Sequence, residues 1–414
     1  MTPEPSSPLL PVEDYLTRIL DRIVPIEPFE QSLLDALGMP VSEDIRAPFP
    51  LPNFDNSAMD GYATAFRDVA EATAERPVHL PVEGEIAAGS SAIAELTPGT
   101  AVRIMTGAPV PAGATAVVPF EWTEEEGREV RVHRAPLEGQ HIRRAGEEVR
   151  EGDLLVRAGE VVGPRQLGLL AALGLGRVRT APRPRVVVMS TGSELVEPGR
   201  PLGRDRIYDA NSYLLAAAVR AHGGVPYRVT ASSDDPDAFA EALSDQLVRA
   251  DLVVTSGGVS KGTHDVVKEV LSGVGTVDFL EVAMQPGKPQ GFGVVGEDAT
   301  PIFTLPGNPV SAYVSFEMFV VPAMRKLIGR EPVRRELTSA VLDEPIRSMR
   351  GKTQLVRARL HQGASGAHVT PVGGTGSHLI AGLAQADALI VVGEHVTRVD
   401  QGEVVSVLPL GGVA

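Results

Sequence analysis

The sequence predicts a multidomain chain of α/β plus β class, with one mainly parallel α/β domain and β-rich segments before and after it. Three observations predict it. At 414 residues the chain is too long for one core and suits roughly three domains of ~150 residues. Between residues 183 and 330, buried-type apolar runs alternate with helical stripes, the pattern of a parallel sheet covered on both faces. On either side, short Val- and Thr-bearing runs are cut by Pro-Gly, Ala-Gly and Glu-Gly turns, the texture of antiparallel β structure.

Along the chain, residues 13–37 read as helical: Leu16, Ile19, Leu20 and Ile23 recur at helical spacing, and Phe29, Leu33, Leu34 and Leu37 continue it past Pro25. From about 47 to 160 the runs Val117–Phe120 and Val130–Val132 typify a β region. A small-residue helix over Gln166–Leu173 stops at Gly174. Arg185–Ser190 is a strand of buried type. A helix over 211–222 starts at Asn211 or Ser212 and stops at Gly223-Gly224. After the strand Val225–Thr230, Asp234-Asp235-Pro236 opens a helix with an acidic cap and a first-turn proline, and Phe239, Leu243 and Leu247 stripe its inner face. The strand Asp251–Thr255 leads through a Gly-rich turn into the helix of Val266, Val267, Val270 and Leu271. Strands near 279–284, 291–295 and 302–305 precede a long helix from about 309 to 328. Past Gly329, the runs Gln354–Leu360, His368–Pro371, Ala388–Val392 and Val404–Leu408 make 332–414 a small β domain.

Composition removes whole classes of function. Lys and Arg number 38 against 53 Asp and Glu, a net charge of −15 that repels phosphate backbones and anionic lipid. Aromatics at 4% leave few stacking platforms for single strands. The expectation is therefore no nucleic-acid partner and no membrane partner. With no cysteine there is no disulfide, thiolate nucleophile, iron–sulfur cluster or cysteine zinc site, and the nine histidines include no i, i+4 pair. The N-terminus lacks a basic stretch followed by an apolar run, and the longest apolar stretch, Val310–Met324, is broken by Glu317 and Pro322. The chain reads as cytoplasmic.

The sharpest local signal is Thr255-Ser256-Gly257-Gly258-Val259-Ser260-Lys261-Gly262-Thr263-His264-Asp265, at a strand end and a helix start. Glycines let the backbone approach a ligand, while turn and helix-start N–H groups make an anion cradle to which Ser256, Ser260 and Thr263 add hydroxyls. The spacing is neither that of a Walker loop nor of a dinucleotide fingerprint. Asp265 also reads as a helix-start acid complementing the dipole. Glu194, Asp234 and Asp235 follow neighbouring strands of the same predicted sheet, and ligands of such sheets sit beyond the carboxyl strand ends. Carboxylates gathered there suit Mg²⁺, a hard ion that shares its shell with substrate phosphates. Two Pro-Gly loops follow, Gln285-Pro286-Gly287-Lys288 and Leu305-Pro306-Gly307-Asn308-Pro309-Val310-Ser311. Lys288 reads equally as a point charge for an oxyanion or as a solvated lysine, and Asn308-Pro309 is a conventional helix opening. Asn56–Ala63 and Arg103–Pro109 hold more specific chemistry than a turn requires. From residues alone, the chain reads as a Mg²⁺-dependent enzyme acting on a phosphate-bearing ligand.

At these residues the sequence resembles the molybdopterin molybdenumtransferase family, the bacterial MoeA proteins and the E domain of gephyrin. The matching segments are NSAMDGYA at 56–63, RIMTGAPVP at 103–111, STGSEL at 190–195, YDANS at 208–212, SGGVSKGTHD at 256–265, QPGKP at 285–289 and LPGNPVS at 305–311. The resemblance implies N-terminal and linking segments at 1–45 and 148–182, a β-rich inserted domain at 46–147, an α/β molybdopterin-binding domain at 183–330 and a C-terminal β barrel at 332–414. It implies a homodimer whose cleft joins the α/β domain of one subunit to the 46–147 domain of the other. The implied reaction takes adenylated molybdopterin and molybdate, hydrolyses the adenylate with release of AMP and leaves molybdenum on the dithiolene sulfurs. A molybdopterin adenylyltransferase would act upstream.

Carried over by motif, Glu194, Asp234 and Asp265 are expected to hold Mg²⁺ and phosphate, with Asp60 and Thr106 reaching across the dimer. Ser256, Gly257, Gly258, Ser260 and Gly262 would cradle phosphate, and Pro306 and Pro309 would shape the neighbouring loop. Lys288, Arg357 and Ser377 would receive molybdate, and Arg143 would anchor the terminal phosphate. Gln285, Glu148 and Lys352 depart from the lysine, aspartate and arginine common in the family. An adenylyltransferase or nucleotide pyrophosphatase would need only residues 183–328, so the Asp60 and Thr106 segments argue against it. A scaffold, or a paralogue binding molybdopterin without turnover, is the remaining alternative, and the retained acids argue against that.

Overall fold

The computed structural model describes residues 9–89, 95–231, 235–257, 266–274, 276–363 and 366–411. The chain divides into two compact units, one of residues 1–43, 158–167 and 176–414, the other of residues 44–157 and 168–175.

The first unit contains a six-stranded sheet in the order Val225–Ala231, Arg185–Thr191, Leu252–Ser256, Thr300–Leu305, Pro289–Val295, Asp278–Glu281. The first four strands are parallel. Val186–Met189 and Leu252–Val254 are wholly buried, as continuous apolar runs must be when both faces are covered. Val186, Val188, Leu252 and Val254 enter one core with the N-terminal and Ala210–Ala221 helices, and Val187, Met189 and Val253 enter another with the Pro236–Leu247 and Val266–Val274 helices. The two outer strands turn antiparallel, so the sheet is mixed at one edge. Gly293 permits this edge: a Cβ there would stand 2.1 Å from the Thr276 carbonyl oxygen.

Only part of the predicted 13–37 helix exists. Val12–Arg22 is helical and buries Val12, Tyr15, Leu16 and Ile19. Phe29–Ser32 is instead a strand, antiparallel to Arg177–Thr180, and Gln31 Nε2 fastens it by donating to the Thr180 and Ala181 carbonyls. The helix-spaced Leu34 is 80% exposed, so that stripe covers nothing, and the distant ladder prevails. The Ala210–Ala221 helix is capped by Asp209, two or three positions ahead of the predicted cap at Asn211 or Ser212. The 309–328 helix is interrupted: α-helical Pro309–Ser315, a π turn over Phe316–Val320, then α-helical Val321–Leu327. Pro322 cannot donate to the carbonyl four residues back, and the ladder widens just ahead of it. Glu317, within that turn, is buried and paired with Arg335 and with His222.

Beyond residue 332, five strands close into a barrel: Thr338–Leu342, Gly366–Pro371, Thr353–Gly363, Ala388–Val392 and Val404–Pro409. Ala340, Ala358, Val369, Ile390 and Val407 pack its interior, and small residues suit so narrow a barrel.

The second unit carries a six-stranded sheet in the order Ala116–Pro119, Gly61–Thr64, Ala101–Ile104, Val78–Ile86, Glu129–Val132, Thr123–Glu126. It is antiparallel except where Val78–Ile86 meets Ala101–Ile104. No helix among the described residues is long and apolar enough to cross a membrane.

Candidate functional site

In the first unit the site begins where the parallel strands end. Ser190 and Ser256, on neighbouring strands, bring their Oγ atoms to 3.3 Å, both buried. The strand then ends at Gly257, whose φ of +96° lies in the left-handed region and whose N–H donates to Leu305 O at 3.0 Å. A Cβ on Gly257 would press on Thr191 at 3.3 Å, so only glycine lets these turns approach so closely. Gly258, Ser260, Gly262, Asp265 and Asp234 lie outside the described residues.

Glu194 lies exposed at the same edge, folded back over Gly192, where a Cβ would meet its carboxylate at 2.4 Å. Its backbone is held by Ile207 N, which donates to Glu194 O at 3.0 Å, and by the short parallel pair of Leu195–Val196 with Ile207–Tyr208. That pair delivers the chain to Asp209, which is 1% exposed. Its Oδ1 accepts from Ser212 N at 3.0 Å, while its Oδ2 is buried with no hydrogen-bond partner among the described residues. Asn211 Nδ2 donates to Gly307 O at 2.7 Å, and its Oδ1 is likewise buried and unpartnered among the described residues. In the sequence, Asp209 stands out only as a member of the YDANS segment and Asn211 as that and as a candidate helix start; their structural work emerges from the fold.

The Leu305–Pro309 loop continues the chain of contacts. Asn308 Nδ2 donates to Ser377 Oγ at 2.9 Å, and Val310 N donates to Ser377 O at 3.1 Å, so Ser377 docks on the helix start between Pro306 and Val310. Arg357 supports this loop. Buried to 3% exposure, it donates from Nη1 to Leu379 O and from Nη2 to Gly373, Gly374 and Gly376 O. Its guanidinium thus braces the 373–379 turn through two of its three nitrogens, a structural role that the motif match does not convey. Lys288 is also engaged, its Nζ lying 2.9 Å from Glu281 Oε2.

In the second unit, three distant segments converge. Ile142–Arg143 pairs with Asn56–Ser57, with exposed Arg143 opposite Asn56, and Ser57 N and O bond Ala108 O and Gly107 N. Within this frame Asp60 Oδ1 accepts from Thr106 N at 2.7 Å and from Thr106 Oγ1 at 2.8 Å. Those two donors, the backbone one first, hold the exposed Asp60 carboxyl below its usual range. The unit thus presents a rigid, ionised carboxylate.

Among the described residues no three His, Asp or Glu side chains gather as a metal cluster. The side-chain donors near the strand ends are all oxygens, the Glu194 carboxylate and the Ser190 and Ser256 hydroxyls, and the start of the next helix adds Asp209 Oδ2, unpartnered among the described residues. Such a set fits a hard cation and offers nothing to a soft one.

Comparison with known proteins places these features in a family. Residues 10–174 match the MoeA N-terminal region (domain I and II), 187–326 a probable molybdopterin binding domain, and 339–410 the MoeA C-terminal region (domain IV). The chain is 45% identical over 398 residues to molybdopterin molybdenumtransferase 2 of Mycobacterium tuberculosis, covering 94% of this chain and 97% of the relative. It is 35% identical over 405 residues to molybdopterin molybdenumtransferase of Haemophilus influenzae, covering 97% and 98%. Two molybdopterin biosynthesis MoeA structures from Pyrococcus horikoshii superpose with TM-scores of 0.82 and 0.74. Their identities are 32% and 28%, over 98% and 97% of this chain and all of theirs.

Proposed function

The chain belongs to the molybdopterin molybdenumtransferase family, and from that premise we propose that it inserts molybdenum into adenylated molybdopterin with Mg²⁺-dependent release of AMP. The observation that carries this reading is the oxygen-lined edge where Ser190, Ser256, Gly257 and Glu194 meet the ends of the parallel strands.

The substrate carries a pyrophosphate, and a chain of net charge −15 needs counter-charge to hold it. Glu194, with Asp234 and Asp265, holds Mg²⁺ in this reading; when bound, the ion offsets phosphate charge and the charge that builds at the reacting phosphorus. The turn Ser256, Gly257, Gly258, Ser260 and Gly262 donates hydrogen bonds to phosphate. Water adds to a pyrophosphate phosphorus, the bridging P–O bond breaks and AMP leaves. Lys288 and Ser377 receive molybdate beside the rigid Pro306 and Pro309 loop, and Arg143 anchors the terminal phosphate. The chain acts as a cytoplasmic homodimer, in which Asp60 and Thr106 of one subunit serve the strand edge of the other, and an adenylyltransferase supplies its substrate. In domain terms, 46–147 presents the Asp60 carboxylate, 183–330 binds molybdopterin, 332–414 supplies Ser377, and 1–45 with 148–182 links them.

The test is AMP release from adenylated molybdopterin titrated with Mg²⁺. Glu194→Gln should raise the Mg²⁺ concentration for half-maximal release with little change in melting temperature. Release that is equally fast in excess EDTA contradicts the proposal.

A further inference from the structure

Glu281 and Lys288 meet because of the register at the antiparallel edge of the first unit's sheet. Asp278–Glu281 pairs with Pro289–Val295 so that Glu281 stands opposite Pro289, which leaves Lys288 one residue beyond the ladder. The two charged ends come within 2.9 Å, each side chain about a third exposed (35% for Lys288 and 32% for Glu281). Their backbones are fixed: Val282 N donates to Lys288 O at 2.8 Å, and Leu10 N donates to Glu281 O at 3.0 Å. The loop ahead of Lys288 is fixed as well. Buried Gln290 donates from Nε2 to Gly287 O and to Ser315 Oγ, at 2.6 Å each. Gly287, at φ +95°, has no room for a side chain, since a Cβ would stand 2.8 Å from Ser315 Oγ. The backbone under Lys288 is thus pinned, and only its flexible stem can re-aim the ammonium.

We propose that Glu281 sets the oxyanion affinity of this chain by acting as an internal competitor for the Lys288 ammonium. The proposal rests on the reading of Lys288 as a molybdate donor. A tetrahedral dianion reaching Lys288 must displace the carboxylate, and it meets like charge until that carboxylate swings away. The position four residues after Glu281 is the neutral Gln285, so no second cation of this loop offsets the repulsion. Anions held by charge alone, such as sulfate and phosphate, face the same displacement, so the carboxylate weakens their hold on the lysine as well.

The experiment measures AMP release by the full chain against molybdate concentration, with direct calorimetric binding of molybdate as a second readout. Glu281→Gln keeps the shape and removes the charge. The coupling of an exposed ion pair corresponds to at most about fivefold in affinity. The molybdate KM and dissociation constant should therefore fall about three- to fivefold, with kcat unchanged. The inhibition constant of sulfate should fall in parallel, and the gain should shrink as salt rises. Glu281→Ala should behave alike, which guards against a misfolded single variant. Lys288→Met is the control for the underlying reading. If it raises the molybdate KM while both Glu281 variants leave KM unchanged or raise it, Glu281 only presents the lysine and the proposal is overturned. If Lys288→Met changes nothing, Lys288 receives no oxyanion and the reading beneath the proposal fails as well.

Discussion

Replacing Arg357 by Met distinguishes a brace from an oxyanion donor. Methionine fills the volume of the arginine stem and supplies no donor, so four carbonyls of the 373–379 turn lose their shared cation. A hydrogen bond from a charged donor contributes roughly 1.5–3 kcal/mol, and the two contacts at 2.6 Å, to Leu379 and Gly374, are the ones to count. That gives roughly 3–6 kcal/mol gross. Against it stand the relief of guanidinium desolvation, which also depresses the Arg357 pKa, and rehydration of carbonyls on an exposed turn. A net loss of about 3 kcal/mol follows. Arg357→Lys keeps one charge but cannot fork toward four acceptors and should lose about half as much. The single tryptophan, Trp122, lies in the other unit, so denaturant unfolding should be followed by circular dichroism together with amide exchange over 353–371. The molybdate KM should rise in step with the stability loss, as Ser377 loses its seat on Asn308. An Arg357→Met protein that keeps its stability within about 0.5 kcal/mol while its molybdate KM rises would refute the brace and make Arg357 an oxyanion contact.

Four further outcomes follow from the same geometry. Asp60→Asn should lower AMP release roughly 10²-fold without moving the melting temperature, and Thr106→Val should raise the Asp60 pKa, visible in an NMR titration, because it removes one of two donors. Asp343 accepts from His361 Nε2, His368 Nδ1 and Thr370 Oγ1 at 2.8, 2.9 and 2.7 Å, with Thr370 contributing most to a pKa far below the usual carboxylate range. A depressed folded-state value stabilises above the unfolded pKa of ~3.9 and is lost as pH falls through the folded value, so Asp343→Asn should be less stable at pH 6 and show a flatter pH dependence below about pH 4. Gly61→Ala would set a Cβ 2.1 Å from Val118 O between two paired strands, and denaturant unfolding should register a loss of more than about 3 kcal/mol.

Features settled within one segment are legible in the residues of that segment. The Val12–Arg22 stripe, the buried run at Arg185–Thr191 and the acidic cap with proline at Asp235-Pro236 each carry their own local cause. Features decided by distant partners are not legible in this way. Phe29–Ser32 owes its conformation to Arg177–Thr180, about 150 residues away, so its helical spacing misleads. Gly291 and Gly293 hint at close backbone approach, but not at the antiparallel edge they allow. Site chemistry divides in the same way. The residue types at Asp60 and Thr106 are conspicuous, whereas their mutual hydrogen bonds follow from sheet registry. A motif match marks Arg357 and Lys288 as cations, but it cannot say that carbonyls and Glu281 already engage them.

The central claim is that AMP release by this chain is coupled to oxyanion capture. The most direct measurement is AMP release from adenylated molybdopterin by the purified protein in Mg²⁺, with and without molybdate. The account predicts release that rises with molybdate to saturation and yields a molybdenum-loaded product. Tight binding of adenylated molybdopterin without AMP release, or release indifferent to molybdate, would contradict it.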